Sequence, residues 1–283
     1  MRDHPVPTHH IHSGSSYFNW QLPELWRYRD LLIMFVKRDL VATYKQTVLG
    51  PLWFFIQPLL VTITFSLVFG RFAGLSTDGM PRIMFYLSGI TIWNYFSECF
   101  TKTATVFKDN TQLFGKVYFP RAIMPLSIVV GALVKFLIQM LLFMGFFFYY
   151  YLKPDSSLSP NVYLLLLPLL VFMMAGFALG AGMLVAATTI KYRDLSYLIS
   201  FGVQLLMFAT PVIYSISTIR PEYKYLVQLN PLSCIVESFR YGFLGVGTVS
   251  STSFLYSGII MLLLLVSGFA VFTKAESAFM DTI

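Results

Sequence analysis

Residues 38–60, RDLVATYKQTVLGPLWFFIQPLL, begin charged and end as a long apolar run. No loop separates the halves; only Gly50-Pro51 marks the join. Proline suits the first turn of a helix, where its missing N–H is not needed. The join therefore reads as a turn from one helix into another. A simple anchor needs only a few basic residues before its apolar run, yet residues 1–49 precede this one. At about 100° per residue, Arg27, Asp30, Lys37, Arg38 and Lys45 fall in one stripe. Leu22, Leu25, Trp26, Leu32, Ile33, Val36 and Leu40 fall across from it, with Arg29 and Asp39 breaking the apolar side and Leu31 and Met34 the polar side. Residues 22–48 are thus expected to form an amphipathic helix lying along the membrane interface, its basic stripe near lipid phosphates.

Upstream, residues 1–21 read as a flexible cytoplasmic tail. They carry all four histidines, His4, His9, His10 and His12. A tail offers no surrounding groups to orient metal ligands, so no metal site is expected there. The polar first twenty residues contain no apolar core of a cleavable signal.

Downstream, long apolar runs recur to the end of the chain. Hydrophobic residues make up 57% of the 283 and charged residues 12%, which excludes an ordinary soluble domain. Backbone polar groups in lipid must be satisfied within the segment, so these runs are helices, and the expected class is an all-α polytopic membrane protein. Six spans are expected, at about 52–70, 83–107, 122–152, 162–190, 198–219 and 254–272, within a membrane domain of residues 49–283. Thirteen of the twenty Lys and Arg fall on the side that holds the N-terminus, six on the other, and Lys135 inside the third span. That bias puts both termini in the cytoplasm. It also accounts for the net charge of +7 without nucleic acid. Cys99 and Cys234 lack metal-site spacing and are not expected to pair.

Three connections stand out. Residues 107–125, FKDNTQLFGKVYFPRAIMP, mix Lys108, Lys116 and Arg121 with Leu113, Phe114, Val117, Tyr118 and Phe119. They read either as an elbow offering apolar knobs to a partner or as a lipid-facing loop. Residues 190–195, IKYRDL, form a tighter connection on the same side. Residues 210–245 contain three prolines and two apolar stretches too short to cross, and are expected to form short outer re-entrant helices between spans five and six.

Thr91, Asn94, Glu98, Thr101 and Thr105 in span two are spaced three and four apart, which puts them on one face. An ionised Glu98 in hydrocarbon is costly unless hydrated or paired. The stripe reads either as the wall of an aqueous path or as interhelical hydrogen bonding. Lys135 and Gln139 share a face of span three, so Glu98 and Lys135 are candidates to pair. Gly176, Ala178, Gly180, Gly182 and Ala186 in span four are expected to let a neighbouring helix approach closely. The aromatic residues, 17% of the chain, suit interfacial belts; those deeper in the spans, notably Trp93 and Phe96, are candidate platforms for sugar faces.

The chain contains no G-x-x-x-x-G-K-[ST], no H-E-x-x-H and no G-x-S-x-G, and no histidine lies beyond residue 12. Asp194 sits beside Arg193, and Glu237 three residues before Arg240, rather than beside other carboxylates. An integral-membrane acyl- or glycosyltransferase is therefore poorly supported. Energy for uphill transport must come from a partner or an ion gradient.

The segments RDLVATYKQTVLGPLW, KVYFPRAIMP, YRD, TPVIY and NPLSCIVESFRYGFLG, in this order around the spans, resemble the membrane subunit of ABC-2 type polysaccharide exporters, which carry O-antigen, capsule or teichoic-acid polymers. The C-terminal FTKAESAFMDTI is also similar to the family's ending. The resemblance runs from about residue 25 to the end. It implies a homodimer with two ABC ATPase subunits in the bacterial inner membrane, lipid-linked glycan as substrate, and ATP and magnesium held by the partner, with no cofactor in this chain. It implies an interfacial gate helix whose Arg27, Arg29, Lys37 and Arg38 attract the lipid phosphate. Lys116, Phe119, Pro120, Arg121, Arg193 and Asp194 would receive the ATPase motion. Asn230, Pro231, Glu237 and Arg240 would belong to outer gate helices. Trp53, Phe54, Phe55, Tyr86, Trp93, Asn94, Phe96 and Glu98 are the expected substrate path. An ABC-2 exporter of a small amphipathic drug or lipid would share this fold.

Overall fold

A computed structural model describes residues 22–45, 47–114, 119–154, 156–192 and 194–280, and the described residues are helical with short links. After a helical turn at Leu22–Arg27, α1 spans Arg29–Tyr44. The break falls at Tyr28, and the helix ends before residue 48, so the expected 22–48 helix is two pieces. α2 begins at Trp53, after a tight turn at Gly50–Leu52 that carries Pro51 in its first positions. Gly50 has φ +52, a conformation natural to glycine, and this redirects the chain. α2 runs to Phe65 and continues as a π-helix over Ser66–Phe72.

α3 spans Arg82–Ala104, α4 Ile123–Tyr151 and α5 Leu167–Lys191, the last entered through a 3₁₀ turn at Val162–Leu166. α6 covers only Leu195–Ala209. The expected fifth span reached residue 219, but Pro211 has no N–H to continue the ladder, and the chain turns at Thr210. Fifteen residues rise about 22 Å, short of the roughly 30 Å hydrocarbon core. α7 at Pro221–Leu229 and α8 at Pro231–Leu244 follow, then α9 at Ser251–Met280, longer at both ends than the expected sixth span. Four segments, Gly50–Phe72, Ile123–Tyr151, Val162–Thr189 and Ser251–Ala275, are long and apolar enough to cross a membrane, with Leu195–Ala209 a shorter apolar helix. The protein is a polytopic helical membrane protein.

α3 is the hub. It packs against α2, α4, α5, α6 and α8, while α9 packs along α5. Small residues permit the α5 contacts, as their spacing suggested. A Cβ on Gly180 would lie 2.5 Å from the Leu264 carbonyl carbon of α9, and one on Gly182 would meet Thr103 of α3 at 2.7 Å. One core joins α3, α4, α5 and α8 around Phe85, Trp93, Phe143, Phe239 and Phe243. A second, at the other end of α3, gathers Phe35, Phe107, Phe114, Phe119 and Phe272.

Candidate functional site

α3 carries the polar stripe, and its neighbours satisfy most of it. Thr91 is fully buried and donates to its own helix, to Leu87 O at 2.7 Å. Asn94 Nδ2 donates to Gln139 Oε1 of α4 at 3.4 Å. Glu98 Oε1 accepts from Lys135 Nζ at 2.5 Å and from Lys102 Nζ at 2.7 Å. Thr105 donates to Asp109 Oδ2 at 2.6 Å. The Glu98–Lys135 pair thus joins α3 to α4, as their helical spacings suggested. Two cations on one carboxylate oxygen leave the group with one net positive charge. Tyr86, Trp93 and Phe96 lie inside the subunit, each at most 3% exposed. Tyr86 packs on Phe65 and Phe85, Trp93 on Phe96, and Phe96 also on Phe100.

At the end of the molecule remote from α1, α8 is almost wholly enclosed. Asn230 caps it, accepting from Leu232 N and donating to Thr210 Oγ1 at 2.8 Å. Pro231 fills its first turn, and Gly245, at φ +77, closes it. Glu237 and Arg240 are each 1% exposed and form an ion pair at 2.8 Å. The Arg240 guanidinium also donates to Val212 O at 3.2 Å and lies 3.8 Å from the centre of the Phe85 ring. Glu237 Oε2 accepts from Thr248 N at 3.2 Å. One ion pair therefore ties α3, α8 and the chain on either side of α7 and α8. Close by, the Asp78 carboxylate accepts from the hydroxyls of Ser215 and Ser217, fastening the α2–α3 link to the chain after α6. Sequence spacing placed Glu237 and Arg240 on one turn but carried no sign of Asp78.

Exposed polar groups on the membrane helices are unevenly distributed. Trp53, Gln57, Leu60 and Thr64 form one exposed face of α2, spaced four, three and four. Tyr197, Phe201, Gln204 and Phe208 repeat that spacing on α6, also exposed, with Ser200 beside them. The exposed positions of α4 are apolar through Val130, Leu137, Leu141 and Phe148, and so are Leu165 of the turn before α5 and Leu169 and Phe172 of α5. Phe54 and Phe55 are half-buried, with Lys135 Nζ 5.5 Å from the Phe54 ring centre. Gln57, Tyr197, Phe201, Gln204 and Phe208 were not singled out from sequence. An amide amid rings at helical spacing was the available signal.

The basic residues of the first helices, Arg27, Arg29, Lys37 and Arg38, are exposed. α1 is fixed by Phe35, whose ring lies 5.6 Å from Phe119. Between α1, the α3 end and α4 opens a cleft of about 330 Å³. Arg38, Asp39 and Thr43 form one wall, Lys102, Asp109 and Asn110 the other, with Met124 and Ile128 as floor. Asp39 and Lys102 also border the space at Glu98 and Lys135.

Of the residues expected to couple to an ATPase, Phe119 and Arg121 are each 4% exposed. Phe119 and Phe114 belong to the chain's own ring cluster, and the Arg121 guanidinium lies 5.2 Å from the Phe114 ring centre. Pro120 is half-buried and Asp194 exposed. Lys116 and Arg193 lie outside the described residues. Among the described residues no group of three or more His, Cys, Asp or Glu is placed to hold a metal.

The class these features define is a polytopic membrane protein with helices joined by small-residue contacts, a buried ionic network, and two surface faces mixing rings with amides. The ABC-2 type transporter family model matches residues 30–244, and the chain belongs to that family. It is a transmembrane subunit of such a transporter and not the catalytic one, since ATP binding in this family lies in a partner ATPase. The chain is 32% identical over 219 residues to the O-antigen export system permease protein RfbA of Myxococcus xanthus, covering 77% of this chain and 81% of that protein. It is 28% identical over 253 residues to RfbA of Klebsiella pneumoniae, covering 89% and 94%. It is 21% identical over 245 residues to the capsule polysaccharide export inner-membrane protein CtrC of Neisseria meningitidis, covering 84% and 88%.

Proposed function

We propose that this chain forms half of the membrane conduit of an ATP-driven exporter of lipid-linked polysaccharide in the bacterial inner membrane. The carrying observation is the paired exposed faces of α2 and α6, where Gln57 and Gln204 alternate with Trp53, Tyr197, Phe201 and Phe208. An exposed side-chain amide is unfavourable against lipid tails and favourable against a hydrated polymer. Aromatic rings offer apolar faces to sugar rings, and amides exchange hydrogen bonds with hydroxyls. Such contacts are individually weak, so a polymer can slide along them. The relatives named for O-antigen and capsule export support polysaccharide as the cargo.

In this reading two copies face each other through α2 and α6, and two ATPase subunits dock at the α1 end, which is cytoplasmic with both termini. Six crossings result, with α3 and the short α6 counted among them and α7–α8 as the outer re-entrant pair. The proposed path keeps Trp53, Phe54 and Phe55 and adds the α6 face. The rings of Tyr86, Trp93 and Phe96, with Asn94 and Glu98, hold the wall rigid behind it. Arg27, Arg29, Lys37 and Arg38 attract the lipid pyrophosphate at the inner surface. Motion from the ATPase enters through Lys116–Arg121 and Arg193-Asp194. It reaches the pore helices through the ring cluster of Phe35, Phe107, Phe114 and Phe119. The outer gate is the α8 assembly of Asn230, Pro231, Glu237 and Arg240.

Vesicles holding the permease with its ATPase, given lipid-linked glycan or a small amphipathic dye, test this. Glycan should cross only with hydrolysable nucleotide, and the dye should not. Glycan transport by the permease alone, or dye transport without glycan transport, would overturn the assignment.

A further inference from the structure

We propose that the cleft between α1 and the ends of α3 and α4 is a sugar-binding site, holding the first sugar of the lipid-linked glycan beside its pyrophosphate. This rests on the proposed export function and assigns a place to the part of the substrate that must be recognised before transport begins. About 330 Å³ is open there. Its walls carry Arg38 and Lys102 against Asp39 and Asp109, so the lining charges cancel. A phosphate would meet two carboxylates along with the two cations and gain no net attraction there. A neutral polyhydroxyl group meets only donors and acceptors.

The hydrogen-bonding pattern favours the same class. Asp39 uses Oδ1 for Arg38 at 2.8 Å, and Asp109 uses Oδ2 for Thr105. Each keeps a second carboxylate oxygen for a hydroxyl donor. Asn110 donates its amide N–H to Val106 O at 3.0 Å and keeps its oxygen. Lys102 holds Glu98 with one of three N–H groups and retains donors for hydroxyl oxygens. Met124 and Ile128, buried in the ring cluster beneath, close the bottom of the cleft with apolar side chains. The exposed Arg27, Arg29 and Lys37 remain outside the cleft and Arg38 lies between the two, so charge attraction and sugar recognition occupy adjoining surfaces. The two walls also belong to different elements, α1 and the α3 end. A sugar bridging them would report its presence by holding α1 in place.

The test uses the permease–ATPase complex in nanodiscs, with two probes: a polyprenyl pyrophosphate bearing one N-acetylglucosamine, and the same lipid without sugar. Binding is read by native mass spectrometry for the wild type, for Asp39→Asn with Asp109→Asn, and for Ala42→Trp, which puts a ring into the cleft from an exposed position on α1. Relative to the bare lipid, whose affinity should not fall, the carboxylate variant should lose about tenfold in affinity for the sugar-bearing probe, the worth of a hydrogen bond to a charged group. Ala42→Trp should show the same selectivity while its ATPase assembly stays intact. Equal loss of both probes would overturn the proposal in favour of a phosphate or headgroup site. Unchanged binding of both would leave the cleft without a ligand. A wild type that exports glycan while its carboxylate variant exports with the same KM would sink the cleft and spare the export function. A wild type that exports no glycan would sink the export function itself.

Discussion

Two segments of 23 residues each, Gly50–Phe72 and α3, invert the habit of soluble proteins. The first is mostly apolar, with Arg71 near its end its one charged residue, yet only Pro58, Thr62 and Gly70 are buried in it. The second carries Arg82, Asn94, Glu98 and Lys102, yet fifteen of its residues are buried. In water the apolar helix would be enclosed and the polar one exposed. In a membrane the solvent is hydrocarbon, so an apolar surface needs no cover while a charged side chain needs protein partners. α3 therefore sits at the centre, where Lys135 and Gln139 of α4 reach its stripe. α2 lies at the edge, free for lipid or a second copy. The polar exceptions on exposed helices, Gln57 and Gln204, are then the informative ones.

The sharpest way to break this comparison is to remove one partner of a buried pair. Arg240→Ala leaves Glu237 enclosed and uncompensated, and should lower stability by about 3–5 kcal/mol in a thermal-unfolding assay in nanodiscs. Adding Glu237→Leu should recover most of that loss. If the single variant unfolds like the wild type, the α8 core does not depend on the pair. A middle-sized effect is expected where helices touch without side chains. Gly180→Leu drives a side chain into the Leu264 backbone and should destabilise by about 1–3 kcal/mol. The same change at Gly145, whose added Cβ would meet no atom within 4 Å, should be nearly silent. The smallest stability effect belongs to the exposed faces. Gln57→Leu with Gln204→Leu should alter stability by no more than about 0.5 kcal/mol per site and yet reduce glycan export severalfold. Unimpaired export in the double variant would return those faces to the lipid.

Much of this arrangement was legible in residue order. The turn at Gly50-Pro51, the small-residue face of α5 and the Glu98–Lys135 pairing follow from local rules of spacing and conformation. The α3 rings illustrate what was not. Trp93 and Phe96 look from sequence like platforms open to a substrate, but α2, α4 and α6 cover that helix from several sides. The Phe119-Pro120-Arg121 elbow looks like a set of outward knobs, yet Phe119 and Arg121 point into a ring cluster formed with Phe35, Phe107 and Phe272, residues far apart in the chain. The expected fifth span is too long because residues 212–219 are mostly apolar, and apolar character alone does not reveal that Pro211 has already ended the helix.

By itself the sequence determined that the chain is helical and lives in a membrane, because long uncharged runs leave the backbone no other way to satisfy its hydrogen bonds in lipid. It also determined which side chains share a face, because helical periodicity is a local property. Only the tertiary structure decided what each face meets: that α8 is enclosed around Glu237 and Arg240, that Asp78 is fastened to Ser215 and Ser217, and that the rings and amides of α2 and α6 are left outside. The reason is that a face acquires its meaning from the element packed against it, and that neighbour is often a hundred residues away.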